Sequence, residues 1–125
     1  MKILVVDDSR AMRSIIIRTI GKAGFEDISF HEATDGQHGA EEALSVKPDL
    51  IMSDWNMPRM DGLEFLQAVR EHNTEVVFGF VTSMGTDDMR DVAVDSGANF
   101  FIGKPFTAEV FAKVLGPYIV SFPAP

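Results

Sequence analysis

Short apolar runs of the length of a β-strand recur at intervals along the chain. They occupy residues 3–6, 28–30, 50–52, 76–81 and 100–102. The segments between them carry apolar residues at every third or fourth position, which is the period of a helix with one buried face. The pattern therefore predicts five strands that alternate with five helices.

Residues with strong positional preferences mark the ends of the predicted helices. A serine, threonine or aspartate at a helix start accepts a hydrogen bond from a free backbone N–H, while glycine and proline end helices. The predicted N-caps are Ser9, Asp61, Thr86 and Thr107, and the predicted stops are Gly24, Pro48 and Gly97. In the last helix, the apolar period predicts a shared face formed by Val110, Val114, Leu115 and Tyr118.

The alternation of strands and helices determines the class of fold. Each helix returns the chain to the same edge of the sheet, so the strands pair in parallel through right-handed crossovers. We therefore expect an α/β protein of the (βα)5 type, with a doubly wound five-stranded parallel sheet. The first and third strands are apolar throughout, as strands buried on both faces are, and we place them in the middle of the sheet.

The length and composition are typical of one globular domain. A chain of 125 residues can bury a hydrophobic core, and we treat residues 1–125 as a single domain. No apolar run is long enough to span a bilayer, and the N-terminal M-K-I-L-V-V-D-D is too short for a signal peptide. We therefore expect a cytoplasmic protein without membrane contacts. The C-terminal S-F-P-A-P is expected to fray.

Charge and cysteine content narrow the range of functions. Nineteen acidic residues outnumber eleven basic ones, and the net charge of -8 argues against binding of nucleic acid. Because the chain has no cysteine, disulfides, thiol catalysis and thiolate metal sites are excluded. We do not assign His31, His38 and His72 to a metal site, since they lie far apart on different predicted elements. A bound metal ion would thus have oxygen ligands.

Polar residues stand where four of the predicted strands end. Asp7 and Asp8 follow the first strand, Asp54 the third, Thr82 the fourth and Lys104 the fifth. Because the carboxyl ends of parallel strands form one edge of the sheet, where α/β proteins bind ligands, these side chains should converge. Three adjacent carboxylates repel one another, and a divalent cation such as Mg²⁺ would relieve the repulsion. One carboxylate would then remain for chemistry.

Four short motifs match one protein family over essentially the whole chain. They are D-D-S-R from Asp7, D-W-N-M-P from Asp54 with D-G at residues 61 and 62, V-T-S from Val81, and K-P-F from Lys104. In these motifs the chain resembles the receiver domain of two-component response regulators, most of all the single-domain chemotaxis regulators. The resemblance implies the flavodoxin-like strand order 2-1-3-4-5.

The resemblance also implies roles for the carboxylates. Asp54 corresponds to the phosphoacceptor, which receives a phosphoryl group from a histidine kinase and becomes an aspartyl phosphate. Asp8 would ligate Mg²⁺ or Mn²⁺ directly, Asp7 largely through water and Asn56 through its backbone carbonyl, with Asp54 completing the metal site. The chain would not be an enzyme in the ordinary sense, because it would catalyse only its own phosphotransfer and dephosphorylation.

Three further residues match the parts of the family that respond to the phosphoryl group. Lys104 would pair with one phosphoryl oxygen, and the hydroxyl of Thr82 would donate a hydrogen bond to another. By the family mechanism, Thr82 moves towards the phosphate and Phe101 rotates inward, which shifts a pre-existing equilibrium. The surface that changes is formed by the fourth helix, the fifth strand and the fifth helix.

The resemblance implies a switch that signals through protein contacts. We expect a monomer that binds a downstream protein through this surface, with the flagellar motor switch as the candidate target in chemotaxis. A phosphorelay intermediate, a phosphate sink and a receiver fragment of a larger regulator stay open as alternatives. A Mg²⁺-dependent phosphohydrolase similar to the haloacid dehalogenases is disfavoured, because Asn56 stands where those enzymes need an acid. A flavin-binding protein of the same fold is disfavoured, because three carboxylates would repel the flavin phosphate.

Several positions differ from what the family or the strand pattern leads us to expect. Phe101 lacks the hydroxyl of the tyrosine often found at this position, and we expect Phe101→Tyr to change the affinity for a partner that contacts the hydroxyl. Gly79 and Gly103 interrupt predicted strands, which indicates either local looseness or a close approach of neighbouring groups. Met84 lies where family members vary and control the access of water to the phosphoryl group, so the phosphate lifetime is not predicted.

Overall fold

The computed structural model describes residues 1–119, and the strands within them form one parallel sheet. The five strands are β1 (Lys2–Val6), β2 (Ser29–Ala33), β3 (Leu50–Ser53), β4 (Val77–Thr82) and β5 (Phe100–Gly103). Their order in the sheet is β2-β1-β3-β4-β5, which confirms the predicted flavodoxin-like topology. The predicted fraying of residues 121–125 concerns a segment outside the described residues.

A helix follows each strand along the chain. The helices are α1 (Arg10–Lys22), α2 (Gly36–Val46), α3 (Gly62–His72), α4 (Asp87–Asp95) and α5 (Ala108–Leu115). The described residues thus have the predicted (βα)5 order of an α/β protein. Within residues 1–119, every helix is too short or too polar to cross a membrane.

Successive residues of β1 point to opposite faces of the sheet, and both faces are buried. Ile3 and Val5 pack in the hydrophobic core that α1 and α5 cover. Leu4 and Val6 pack in a second core, which α2, α3 and α4 cover. The continuous apolar runs of β1 and β3 follow from this position between two helical layers, and the prediction that both strands are internal is confirmed.

Side-chain caps begin the helices where the sequence predicts them. In each case a side-chain oxygen accepts a hydrogen bond from the backbone N–H three residues later, at Ser9, Asp61, Thr86 and Thr107. Asp61 forms a reciprocal capping box with Glu64. Asp35 caps α2 in the same way, although it was not predicted. Gly24 and Gly97 follow the ends of α1 and α4 with φ angles of +98° and +104°.

Two predictions from the apolar pattern are wrong in detail. β2 continues past residue 30 to Ala33, because this edge strand carries the polar residues His31 and Glu32 and so lacks a continuous apolar run. In α5, Val110 is 40% exposed whereas Phe111 is fully buried. Val110 is thus the one member of the predicted face that is exposed, whereas Leu115 is buried and Val114 and Tyr118 pack against the core.

Candidate functional site

The carboxyl ends of β1 and β3 bring three carboxylates together, as the sequence predicts. One oxygen atom each from Asp7, Asp8 and Asp54 lies within 4.8 Å of the others. Asp7 is buried, Asp54 is half-buried and Asp8 is exposed. The pairing of Val6 with Ser53 explains this arrangement, because Asp7 and Asp54 are the residues that directly follow this pair.

Lys104, which follows β5, joins two of the carboxylates. Its Nζ donates hydrogen bonds to Oδ2 of Asp7 and to Oδ2 of Asp54, each at 3.1 Å. The side chain of Lys104 is 15% exposed, and those of Asp7 and Asp54 are 2% and 13% exposed. Both ion pairs are therefore largely shielded from water, and the charges interact more strongly than they would on the surface.

Backbone N–H groups orient the two carboxylates that contact the lysine. The N–H of Ser9 donates to Oδ1 of Asp7 at 2.9 Å, and the N–H of Trp55 donates to Oδ1 of Asp54 at 2.7 Å. The start of α3 fixes the loop after Asp54, because the N–H of Gly62 donates to the carbonyl of Trp55 at 2.7 Å. A Cβ atom at Gly62 would collide with the backbone of Asp54, so glycine permits this close approach.

Burial and charge act in opposite directions on the buried ion pair. Burial raises the pKa of the Asp7 carboxyl above its usual value, although hydrogen bonds from Ser9 and Lys104 oppose the change. Burial by itself lowers the pKa of Lys104, but the hydrogen bond to Asp7 and the charge of Asp54 outweigh it, and the pKa is raised. The lysine is therefore charged at neutral pH, and an added cation would favour the ionised form of Asp7.

The donor set fits a hard divalent cation. Within residues 1–119, Lys104 is the one basic side chain that forms ion pairs with Asp7, Asp8 or Asp54. One positive charge therefore faces three carboxylates, which leaves an excess of negative charge. All the candidate side-chain ligands are oxygen atoms, and Mg²⁺ and Mn²⁺ prefer such ligands. The cluster could hold a metal ion of this kind.

Thr82 and Asn56 form no hydrogen bond with these carboxylates in the described part of the chain. Thr82 is buried at the end of β4, and its Oγ1 accepts a hydrogen bond from the N–H of Met84 at 3.2 Å. Asn56 is exposed two residues after Asp54. Their roles in binding phosphate and metal stay predictions.

Phe101 is half-buried on β5 and contacts both an aromatic cluster and α4. Its ring centroid lies 6.3 Å from that of Trp55 and 5.8 Å from that of Phe80. The guanidinium carbon of Arg90, on α4, lies 5.1 Å from the centroid of Phe101, which is a cation–π distance. Ring contacts therefore connect Trp55, the neighbour of Asp54, with α4.

Arg13 is a residue near the carboxylates that the sequence analysis did not assign. It lies on α1, is 8% exposed, and donates a hydrogen bond from Nη1 to the backbone carbonyl of Asp7 at 2.7 Å. Its Nε donates to Oε1 of Glu32 at 2.9 Å. The sequence does contain a signal for this residue, because Arg13 precedes Ile16 by three positions on the buried face of α1.

The fold and the site together define a doubly wound α/β protein with an acidic cluster and a lysine at the carboxyl edge of its sheet. The sequence profile of the response regulator receiver domain matches residues 3–115, and the chain belongs to this family. It is 38% identical to the chemotaxis protein CheY1 of Helicobacter pylori, over 92% of this chain and 94% of that protein. It is also 38% identical to the chemotaxis protein CheY of Pseudomonas aeruginosa, over 90% and 91% of the two chains. The structure of the chemotaxis protein CheY4 of Vibrio cholerae is similar, with a TM-score of 0.82 and 32% identity over 94% of this chain and 97% of that one.

Proposed function

We propose that the chain acts as the receiver domain of a response regulator and accepts a phosphoryl group from a histidine kinase on Asp54. The observation that carries this proposal is the pair of 3.1 Å hydrogen bonds by which Lys104 joins Asp54 to Asp7. They place a half-buried carboxylate beside a fixed positive charge and beside two further carboxylates. In this proposal, residues 1–125 act as a single, monomeric receiver domain in the cytoplasm.

In the proposed reaction, a carboxylate oxygen of Asp54 attacks the phosphorus in line with the leaving group. A phosphorus–oxygen bond forms while the phosphorus–nitrogen bond of the phosphohistidine breaks, and the imidazole nitrogen keeps the electron pair and takes up a proton. Lys104 would balance the charge of one phosphoryl oxygen. The hydroxyl of Thr82 accepts a hydrogen bond from Met84, so its own proton is available for a second phosphoryl oxygen.

The carboxylates would also form the metal site. We propose that Asp7, Asp8 and Asp54 hold Mg²⁺ or Mn²⁺ together with the backbone carbonyl of Asn56. When bound, the cation supplies positive charge that neutralises the carboxylates and the phosphoryl group. Lys104 and the backbone N–H groups of Ser9 and Trp55 hold the oxygens of Asp7 and Asp54 in place.

The signal would leave through the α4–β5–α5 face, the surface formed by helices α4 and α5 and strand β5. Phe101 contacts Arg90 of α4, so an inward rotation of the ring would remove this contact and change the face. A downstream protein would then bind to the changed face. The names of the similar proteins from Helicobacter pylori and Pseudomonas aeruginosa support a role in chemotaxis, with the flagellar motor switch as the candidate target.

Intact-mass measurement after incubation with Mg²⁺ and phosphoramidate tests the phosphoacceptor. We expect the wild type to gain the mass of one phosphoryl group and Asp54→Asn to gain none, because an amide lacks the nucleophilic oxygen anion. Removal of Mg²⁺ with EDTA should suppress the reaction in the wild type. Equal phosphorylation of the wild type and Asp54→Asn would show that another residue is the acceptor.

Trp55, the one tryptophan of the chain, offers an optical signal for the same site. Its backbone N–H donates a hydrogen bond to Asp54, and its ring centroid lies 4.8 Å from that of Phe80. We expect Mg²⁺, and then beryllofluoride as a phosphoryl mimic, to change its fluorescence. A constant signal at saturating Mg²⁺ would count against the metal site.

Affinity capture tests the output. Protein locked with Mg²⁺ and beryllofluoride is compared with Asp54→Asn, and proteins that bind only the locked form are identified. Recovery of a flagellar switch protein supports a role in chemotaxis. Recovery of histidine kinases or histidine phosphotransfer proteins alone, in either state, would instead indicate a phosphorelay intermediate or a phosphate sink.

A further inference from the structure

We infer that Arg13 is a positioning residue for the metal site, an inference that rests on the proposed function. Arg13 is 8% exposed although it carries a positive charge. A guanidinium group is stable at such burial when its N–H groups find acceptors. Two are present, the backbone carbonyl of Asp7 at 2.7 Å and Oε1 of Glu32 at 2.9 Å.

The contact with Arg13 completes the hydrogen bonding of Asp7. The backbone N–H of Asp7 donates to the carbonyl of Ala33 at 3.2 Å, and its carbonyl accepts from Arg13. Its carboxylate accepts from the N–H of Ser9 at 2.9 Å and from Lys104 at 3.1 Å. Removal of the guanidinium would take this donor from a carbonyl at a residue that is 1% exposed, and the turn would have to move to replace it.

The position of Arg13 allows it to fix the turn that carries two of the candidate ligands. Arg13 lies on α1, Glu32 on β2 beside Val5 of β1, and Asp7 in the turn between β1 and α1. The guanidinium thus joins the turn to a helix and to the edge strand. The carbonyl of Asp7 and the N–H of Asp8 belong to one planar peptide group, so the hydrogen bond also fixes the direction in which the chain enters Asp8.

The role of Arg13 is geometric rather than electrostatic. Its charge is balanced by Glu32, and within residues 1–119 it forms no ion pair with Asp7, Asp8 or Asp54. Loss of the side chain should therefore weaken metal binding by displacing ligands. Saturating Mg²⁺ should recover part of the chemistry at Asp54.

Titrations of the full chain with Mg²⁺, followed by the fluorescence of Trp55, test the inference. Arg13→Met should raise the dissociation constant for Mg²⁺ about tenfold, the scale known for residues that orient metal ligands. Arg13→Lys keeps the charge and one donor group and should give an intermediate constant.

Glu32→Gln keeps the acceptor oxygen, and its constant should stay within about twofold of the wild type, because the Glu32 side chain is 45% exposed and its charge is screened. The phosphorylation rate of Arg13→Met with phosphoramidate should lie closer to the wild-type rate at saturating Mg²⁺ than at low Mg²⁺.

Arg70→Met is the matched control for a purely structural effect. Arg70 is a half-buried arginine that, like Arg13, joins chain segments, but its contacts with Gly97 and Asn73 lie near the amino ends of β4 and β5, away from the carboxylates. Arg70→Met should lower the free energy of unfolding without changing the dissociation constant for Mg²⁺. Equal weakening by Arg13→Met and Arg70→Met would overturn the inference, and so would a wild-type constant in Arg13→Met.

Three further outcomes are also decisive. If Arg13→Met does not fold, Arg13→Lys carries the test, and a wild-type constant in that variant would overturn the inference. If the wild type itself shows no response to Mg²⁺, the proposed metal site fails and the role of Arg13 fails with it. A normal response of the wild type with unchanged Arg13 variants would remove only the role of Arg13.

Discussion

Gly79 and Gly103 both interrupt strands, yet their surroundings differ. The ring of Phe100 on β5 occupies the space where a side chain at residue 79 would stand, whereas no group lies within 4 Å of the corresponding position at Gly103. Gly79→Ala should lower the free energy of unfolding by about 1–3 kcal/mol, because the ring must move to relieve overpacking. Gly103→Ala should be neutral or stabilising by up to about 1 kcal/mol, because alanine restricts the unfolded chain. Urea denaturation measures both changes.

A double-mutant cycle tests whether the Phe100 ring causes the loss. Phe100→Leu replaces the ring with a smaller side chain, so Gly79→Ala should destabilise this variant less than it destabilises the wild type. An equal loss in both backgrounds would mean that the strain arises elsewhere. Gly79 thus permits the close approach of a neighbouring ring, whereas Gly103 lies beside free space. The position of Phe100 distinguishes these two cases.

At the scale of the elements, Arg70 joins the end of α3 to the turn before β5. Its Nε and Nη2 donate to the carbonyl of Gly97 at 3.1 and 2.8 Å, and its Nη1 donates to the carbonyl of Asn73 at 3.0 Å. Arg70→Met should lower the free energy of unfolding by about 2 kcal/mol, because these carbonyls lose a charged donor. Urea denaturation in EDTA measures the change. Arg18→Met, at an exposed position on α1, is the control, and a loss no larger than in this control would contradict the role of Arg70.

The accuracy of the sequence prediction differs from element to element for physical reasons. β1 and β3 were predicted closely because burial on both faces leaves a continuous apolar run. β2 was cut short because an edge strand tolerates residues such as His31 and Glu32. The carboxylate cluster was predictable because parallel strands end at one edge. The contact of Arg13 with Asp7 was not predictable, because it depends on how α1 packs beside β2. The local sequence does not specify this packing.

At the scale of the whole molecule, the stability that Mg²⁺ adds should depend on pH. Burial raises the pKa of Asp7 in the folded, metal-free protein. Asp7 therefore favours folding most below its pKa in the unfolded chain, and this contribution is lost as the pH rises through the raised pKa of the folded state. Mg²⁺ bound at the proposed site would favour the ionised carboxylate and offset the loss. The gain in unfolding free energy on adding Mg²⁺ should thus grow from acid to neutral pH, to about 1.4 kcal/mol at ten times the neutral-pH dissociation constant.

Urea denaturation with Mg²⁺ or EDTA at a series of pH values measures this gain. Asp7→Asn is the control, because an amide does not titrate and binds cations weakly, so its gain should be small at every pH. Stabilisation of the wild type that is independent of pH would contradict the coupling between Asp7 and the metal.

The distribution of charge over the molecule makes a prediction about the proposed target. α1 carries three arginines and one lysine and no acidic residue, whereas α4 carries four aspartates and one arginine. Within residues 1–119, none of the α4 aspartates forms an ion pair, and all four are exposed. Val94, one turn after Arg90, is 64% exposed and adds apolar surface to the helix. We therefore expect a target whose contact surface is basic, and an association rate that falls as salt is added.

The rate of association between the beryllofluoride-locked protein and the captured target tests this expectation. Asp91→Asn with Asp95→Asn should slow association roughly tenfold at low ionic strength and flatten its dependence on salt, since steering by charge acts mainly on the rate of encounter. Glu41→Gln with Glu71→Gln makes the same change in net charge at exposed positions on α2 and α3 and should have little effect. If the two pairs slow association equally, the net charge of -8 attracts the target without regard to position, and the acidic α4 has no special part in recognition. If only the α4 pair acts, the charge on this helix contributes to the choice of the partner that binds the α4–β5–α5 face.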